Sequence, residues 1–374
     1  MNQAESLFFT LLRSGLWGTA PDVSSFQPSE EDWKAVLRNA REQTVIGLVA
    51  EGAALCPPGF VPEVVGLRLL GLCENIRRLN ARANSEIASL VPLFEEDGIP
   101  LFLLKGQGIA CCYLKPELRM PGDIDLFVLP EDYRKSKETL SRLGVSDEGE
   151  GLDKLHYGAM HGDMEIEIHG TVHTSLGKRI NGCLDEMQRE LFSGSDCRIM
   201  ECRGREGSVE VRLPGRDFDA LFIFIHLLQH FFCGGLGLRQ LCDWARLLHC
   251  CRGLLDVPKL EARLEKMGLK SEWKAFMSFI VNYLALPEED AVLLSPGNGT
   301  KARRIWKYVG MVGNFGTKLR RRDRTRDPYL FRKIQSFFIN SKCFLAHITI
   351  FPLDSLKFFW GYFVTGMKAV IQGQ

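Results

Sequence analysis

Three short stretches of this chain carry residues whose types and spacing can do chemistry: Leu103-Leu-Lys-Gly-Gln-Gly108, Arg119-Met-Pro-Gly-Asp-Ile-Asp125 and Met164-Glu-Ile-Glu-Ile-His-Gly170. The first is a glycine-rich turn that follows an apolar run. The second ends on Asp123 and Asp125, two residues apart in a segment that reads as a strand. Side chains of a strand alternate faces, so both carboxylates leave the same side, about 7 Å apart at the backbone. Two hard oxygen ligands converging there suit Mg²⁺, which binds through one or two carboxylates plus substrate phosphates. The Lys105-Gly106-Gln107-Gly108 turn leads into a helix start, whose backbone N–H groups and positive end favour phosphates. Lys105 and Arg119 are the nearby cations that would neutralise charge developing on them.

A third carboxylate completes a metal set. Glu165, Glu167 and His169 share one face of their strand by period two, and Ile166 and Ile168 share the other. A hairpin strand beside Asp123 and Asp125 would bring one of the two glutamates up to them. Three carboxylates can hold two Mg²⁺ about 3.5–4 Å apart, one activating an attacking oxygen and one clamping a triphosphate. His169 either orients a phosphate, acts as a base or makes a structural hydrogen bond, and His156 on the preceding segment has the same alternatives.

On these residues the chain resembles the nucleotidyltransferase superfamily, which carries a Gly-Gly or Gly-Ser turn, a downstream Asp-x-Asp and a third carboxylate on a later strand. More closely, it resembles a largely uncharacterised bacterial branch marked by Leu-Lys-Gly, Arg-x-x-x-Asp-Ile-Asp and Glu-x-His. Here these are Leu104-Lys105-Gly106, Arg119 through Asp123-Ile-Asp125, and Glu167-Ile-His169. His226, His230, Gly237-Leu-Arg239 and Asp243 match a further helical signature of that branch. The resemblance favours Glu167 over Glu165 as the third ligand. It implies transfer of a nucleoside monophosphate from ATP or another nucleoside triphosphate to an acceptor, with Mg²⁺ or Mn²⁺ and release of pyrophosphate. Asp123, Asp125 and Glu167 would be the catalytic metal ligands, and Lys105, Gly106, Gln107, Gly108, Arg119, His169 and Arg239 would contact the nucleotide. Two departures stand out. Gln107 occupies the place of the superfamily's serine, and Asp123 lies seventeen residues past Gly106, a longer gap than usual.

The elements that must position these residues read as an α/β (α+β) arrangement. A small mixed β-sheet core over 98–215 is flanked by helical regions over 1–97 and 216–374. Ser29 is an expected N-cap for an amphipathic helix carrying Trp33, Val36, Leu37 and Ala40, and an unbroken helix is expected from about Glu63 to Glu96. Strands are expected at Ile99–Leu104 and Met120–Leu129, with a helix start from Gly106 to Leu114 and a helix over Glu131–Gly144. The turn Gly162-Asp163 predicts a hairpin joining 154–161 to 164–170, and a second hairpin is expected between Cys197 and Leu213 around Arg205–Gly207. From Arg216 onward helices recur: a run over Phe218–Phe232, then Leu238–Cys251, Lys259–Met267, Trp273–Leu286 and Lys301–Val312.

Composition narrows the alternatives. Lys and Arg total 47 against 46 Asp and Glu, a balance unlike that of a general nucleic-acid or membrane-surface binder. Twelve cysteines show no C-x-x-C spacing, which fits small buried hydrophobes in a reducing, cytoplasmic setting. No uncharged apolar run long enough for a membrane span is found, and Cys343–Ile371 reads as one or two amphipathic core helices, with a membrane-associated helix as the alternative. His226 and His230 stand at i, i+4, a spacing that serves zinc, but helix-face packing is the plainer reading. Arg239 and Asp243 have the spacing of a helix ion pair, with Arg239 alternatively reaching into the cleft. The tract Lys318–Arg326 would be the natural grip for an RNA acceptor. A small molecule or a protein are the other acceptor classes. The competing functions are a nucleotide-binding regulator on the same fold without catalysis, and an RNA-binding module working through that tract.

Overall fold

The computed structural model describes residues 2–150, 155–194, 196–204, 207–233, 235–295, 297–314 and 341–357, and the side chains of 147–150 are left aside. The basic tract Lys318–Arg326 and much of Cys343–Ile371 lie outside the described residues. Four helices come first: α1 (Gln3–Trp17), α2 (Glu30–Glu42), α3 (Ile46–Ala54) and α4 (Glu63–Glu96). Ser29 caps α2 through a full capping box with Asp32. Helix α4 runs unbroken past Pro92, which sits close to its end. Helices α1 and α3 pack so closely that a Cβ on Gly52 would sit 1.9 Å from the Leu11 carbonyl oxygen, which only glycine permits.

The central elements are β1 (Leu101–Leu104), α5 (Gly106–Ala110), β2 (Ile124–Val128), α6 (Tyr133–Ser141), β3 (Ser146–Glu150), β4 (His156–His161) and β5 (Met164–His169). They are followed by α7 (Lys178–Ser193), β6 (Cys197–Arg203) and β7 (Ser208–Pro214). Five strands form one mixed sheet in the order β1-β2-β5-β4-β3, and β6 and β7 pair as a separate hairpin. Strands β2 and β5 run parallel and the other neighbours antiparallel. The Gly162-Asp163 turn joins β4 to β5, with His161 opposite Met164 and Gly162 at φ +64. The polar segment of β3 carried no strand pattern in the sequence; it joins by pairing one edge to β4.

The last helices are α8 (Arg216–Cys233), α9 (Leu238–Cys250), α10 (Val257–Met267), α11 (Lys270–Leu284) and α12 (Gly299–Val312), and residues 341–348 are helical as well. Strand periodicity divides the sheet between two cores. Leu101, Leu103, Ile124, Leu126, Ile166 and Ile168 pack with Ile87, Leu90 and Phe94 of α4 and with Val211 of β7. On the other face, Phe102, Leu104 and Phe127 join a larger core that holds the N-terminal and C-terminal helices together. Phe192 of α7 meets Phe102 and Phe127 edge-on at 5.1 and 5.2 Å, closing that end of the face. The carboxylates occupy the rest of it.

Candidate active site

The parallel register of β2 and β5 sets Asp125 opposite Glu167. Asp123 lies one residue ahead of β2, so the strand is shorter than the sequence pattern suggested, yet its carboxylate still converges. Ligand oxygens of Asp123, Asp125 and Glu167 lie within 4.8 Å of one another. Glu165 shares their face but is not part of this set.

Asp125 is 1% exposed and divides its two oxygens. Oδ1 accepts from Lys105 Nζ at 2.8 Å and lies 2.8 Å from His169 Nε2. Oδ2 is buried with no partner among the described residues. A buried carboxylate oxygen without a donor carries the full cost of desolvation, which a cation seated there would remove. The donor set therefore fits a divalent ion held by Asp123, Asp125 and Glu167.

The electrostatics follow from crowding. Asp125 across the gap and burial push the Asp123 carboxyl up. Burial also pushes Glu167 up, but the His156 and His169 imidazoles beside it outweigh that and hold Glu167 below the usual carboxylate range. Lys105 and His169 are both lowered by burial and more strongly raised by the surrounding carboxylates. The pocket is thus an anionic centre partly neutralised from within by its own cations.

The turn before the site is tightly built. Lys105 has φ +47 and Gly106 has φ +38, and a Cβ on Gly106 would meet the Asp123 carbonyl oxygen at 3.3 Å. Helix α5 that follows is a single short turn, ending sooner than the sequence suggested. Gln107 faces away from the cleft: its Nε2 donates to Asn80 Oδ1 of α4 at 2.9 Å. Asn80 Nδ2 in turn donates to the carbonyls of Glu117 and Arg119 at 3.0 and 2.8 Å. Gly108 leaves room for Leu213 of β7, whose methyl would lie 3.0 Å from an added Cβ.

Arg119 and Arg239 brace the segment that leads into Asp123. Arg119 Nε and Nη2 each donate to Asp243 at 2.8 Å, Tyr113 donates to the same carboxylate at 2.7 Å, and Arg119 Nη1 turns to the Met120 carbonyl. The expected ion pair between Arg239 and Asp243 is therefore not formed, because Asp243 is committed to Arg119 across 124 residues of sequence. Arg239 Nη1 instead donates to the carbonyls of Met120 and Pro121 at 3.2 and 3.0 Å, and lies against Gly122. Its Nε has no partner among the described residues.

His226 and His230 of α8 contact each other, Nε2 to Nε2, at 2.9 Å. Burial, together with the positive charge of Lys105, holds His226 well below its ordinary value and His230 at about 4. They thus belong to the electrostatic neighbourhood of the site, though neither joins a metal-ligand group among the described residues. His156, left open by the sequence, stands directly opposite His169 in the β4–β5 ladder. Its register across a hairpin, rather than any spacing, brings it there.

The profile of a family described as uncharacterised nucleotidyltransferase matches residues 29–284 of this chain. Among solved structures, that of the antibiotic-resistance factor ANT(2'')-Ia aligns with 52% of this chain and 95% of its own length, at 14% identity and a TM-score of 0.35. No curated protein matches. No helix among the described residues is long and apolar enough to cross a membrane.

Proposed function

The chain belongs to the uncharacterised nucleotidyltransferase family, and from that premise we propose that it transfers a nucleoside monophosphate from a nucleoside triphosphate to an acceptor, with Mg²⁺ or Mn²⁺. The observation that carries this reading is the Asp125–Glu167 register. It gathers three carboxylates while leaving the buried Oδ2 of Asp125 without a partner.

In this reading Asp123, Asp125 and Glu167 hold the divalent ions, which would offset negative charge on the triphosphate and favour the attacking oxygen. Acceptor oxygen attacks the α-phosphorus, the bond to the β-phosphate oxygen breaks, and pyrophosphate leaves. Glu167 accepts the acceptor's proton. Lys105 sits beside Asp125 and supplies positive charge to the phosphates, with the N–H groups of Gly106, Gln107 and Gly108 lining the same turn. His169 orients Asp125 and Glu167 from the floor of the site. Arg239 adds charge from α9 through its free Nε–H, and Arg119 acts by holding the Asp123 segment in place.

The test is turnover of each labelled nucleoside triphosphate with Mg²⁺ or Mn²⁺, read as pyrophosphate release. Asp123→Asn and Asp125→Asn should each lower it by about a thousandfold, the equivalent of several kcal/mol of transition-state stabilisation. Unchanged turnover in both variants removes the reading. Tight nucleotide binding by the wild type with no turnover for any acceptor tried would favour the regulator.

A further inference from the structure

We infer that His156, Glu167 and His169 form a second metal site, rich in nitrogen donors, that takes a late first-row ion such as Co²⁺, Ni²⁺ or Zn²⁺. It lies beside the three-carboxylate set and shares Glu167 with it. The inference rests on the nucleotidyl-transfer reading only through that shared residue.

The ladder builds the site. His156 and His169 are direct cross-strand partners on β4 and β5, and Glu167 is one step along β5 on the same face. Gly158 stands opposite Glu167 and so places no side chain over its carboxylate. The two imidazoles stack with centroids 4.6 Å apart and planes 13° from parallel. Both turn Nε2 to the same oxygen, Glu167 Oε2, at 3.1 and 3.2 Å. All three ligand atoms lie within 4.8 Å of one another.

His156 Nε2 is buried with no hydrogen-bond partner among the described residues, and a cation seated between it and Glu167 would satisfy it. Ions of this class sit about 2.0–2.2 Å from imidazole nitrogen and carboxylate oxygen, which sets neighbouring ligand atoms a little over 3 Å apart. Each imidazole nitrogen already stands at that spacing from the Glu167 oxygen. The donor types matter as much as the distances: imidazole suits Zn²⁺, Ni²⁺ and their neighbours, whereas Mg²⁺ and Mn²⁺ keep to oxygen. Three protein ligands leave positions open to water or substrate, the pattern of a catalytic rather than a structural centre. A Glu167 carboxylate bridging the two sets would couple a hard, all-oxygen position to a softer one. The site would then discriminate among divalent ions at one position and accept Mg²⁺ at the other.

The experiment uses the full chain stripped of metal by chelator, then titrated with Co²⁺ and with Mg²⁺. Bound metal is measured by equilibrium dialysis, and the visible absorption of Co²⁺ reports the geometry and ligand field at the site. Wild-type protein should bind Co²⁺ at least tenfold more tightly than His156→Ala and His156→Asn, and both variants should lose the visible band while keeping wild-type Mg²⁺ binding. Equal Co²⁺ affinity and equal spectra in wild type and both variants overturn the inference. Urea unfolding of the two variants establishes that they are folded. Asp123→Asn separates the two readings, because it should abolish turnover while the Co²⁺ band persists. Loss of the band claim with Asp123-dependent turnover intact would strike this site and spare the reaction.

Discussion

Arg119→Met, compared with Asp243→Asn and with the double variant Arg119→Met/Asp243→Leu, tests how the site is held. Arg119 and Asp243 are 4% and 7% exposed, so water screens their interaction little. The pair makes two charged hydrogen bonds of 2.8 Å, and Tyr113 completes the shell at 2.7 Å. Burial lowers the basicity of Arg119, and Asp243 more than reverses it. Removing one member strands the other in a dry environment, at a cost of about 3–5 kcal/mol. Replacing both with apolar groups of similar volume removes the stranded charge and leaves only the Tyr113 hydroxyl without its acceptor, so the loss should be about 1–3 kcal/mol, less than that of either single variant. Urea denaturation of the four proteins, followed by circular dichroism, gives the cycle. Single variants that each lose less than about 1 kcal/mol, or a double variant that loses the sum of both, would refute the reasoning. Turnover supplies a second readout. If Arg119 acts by bracing, turnover follows stability across the three variants, whereas a direct phosphate contact would leave both Arg119 variants inactive however stable the double variant is.

Further outcomes are equally specific. Gly106→Ala forces a side chain into φ +38 and against the Asp123 carbonyl; it should cost about 1–2 kcal/mol in urea denaturation and depress turnover more than stability alone accounts for. Glu272 is buried on α11, and burial together with neighbouring Asp354 raises its pKa from 4.5 to about 8. Between those values the folded chain keeps the proton and the unfolded chain has lost it. Stability should therefore fall as pH rises through that window, by at most about 1.4 kcal/mol per pH unit, and level off above it. Glu272→Gln should flatten that slope; an unchanged slope would reject the assignment.

The parts of the site that were legible in the sequence are those set by local periodicity. Asp123 and Asp125, Glu167 with Ile166 and Ile168 on the opposite face, the Gly162-Asp163 turn and the Ser29 cap all follow from rules that act within a few residues. What escaped depends on contacts between distant segments. Asp243 satisfies the helix-pair spacing with Arg239 but is claimed by Arg119, because a bidentate buried contact outweighs an i, i+4 pair worth a few tenths of a kcal/mol. Gln107 stands where a serine was expected, and its partner Asn80 lies on a helix that the motif does not include. The Gly162-Asp163 turn places His156 on the neighbouring hairpin strand, but its approach to Glu167 depends on side-chain positions that the sequence does not carry. Strand β3 was missed because its segment is polar, and an edge strand needs only one pairing partner.

The shared core of the first and last helices bears on how the protein comes into being. Arg13 donates to the carbonyls of Asn282 and Tyr283, Trp17 to that of Leu284, and the Phe9 ring meets Trp306 edge-on at 4.7 Å. During vectorial synthesis the earliest helices therefore leave the ribosome long before the surfaces that cover them exist. Asp123 and Asp125 are likewise made before α9 can supply Arg239 and the Asp243 partner of Arg119. The strands can all pair before α9 exists, but the end of the sheet that carries Asp123 and Asp125 gains these contacts only once the helical half is made. A nascent chain released too soon would carry Asp123 and Asp125 unbraced, and with them a large apolar surface seeking any cover at hand.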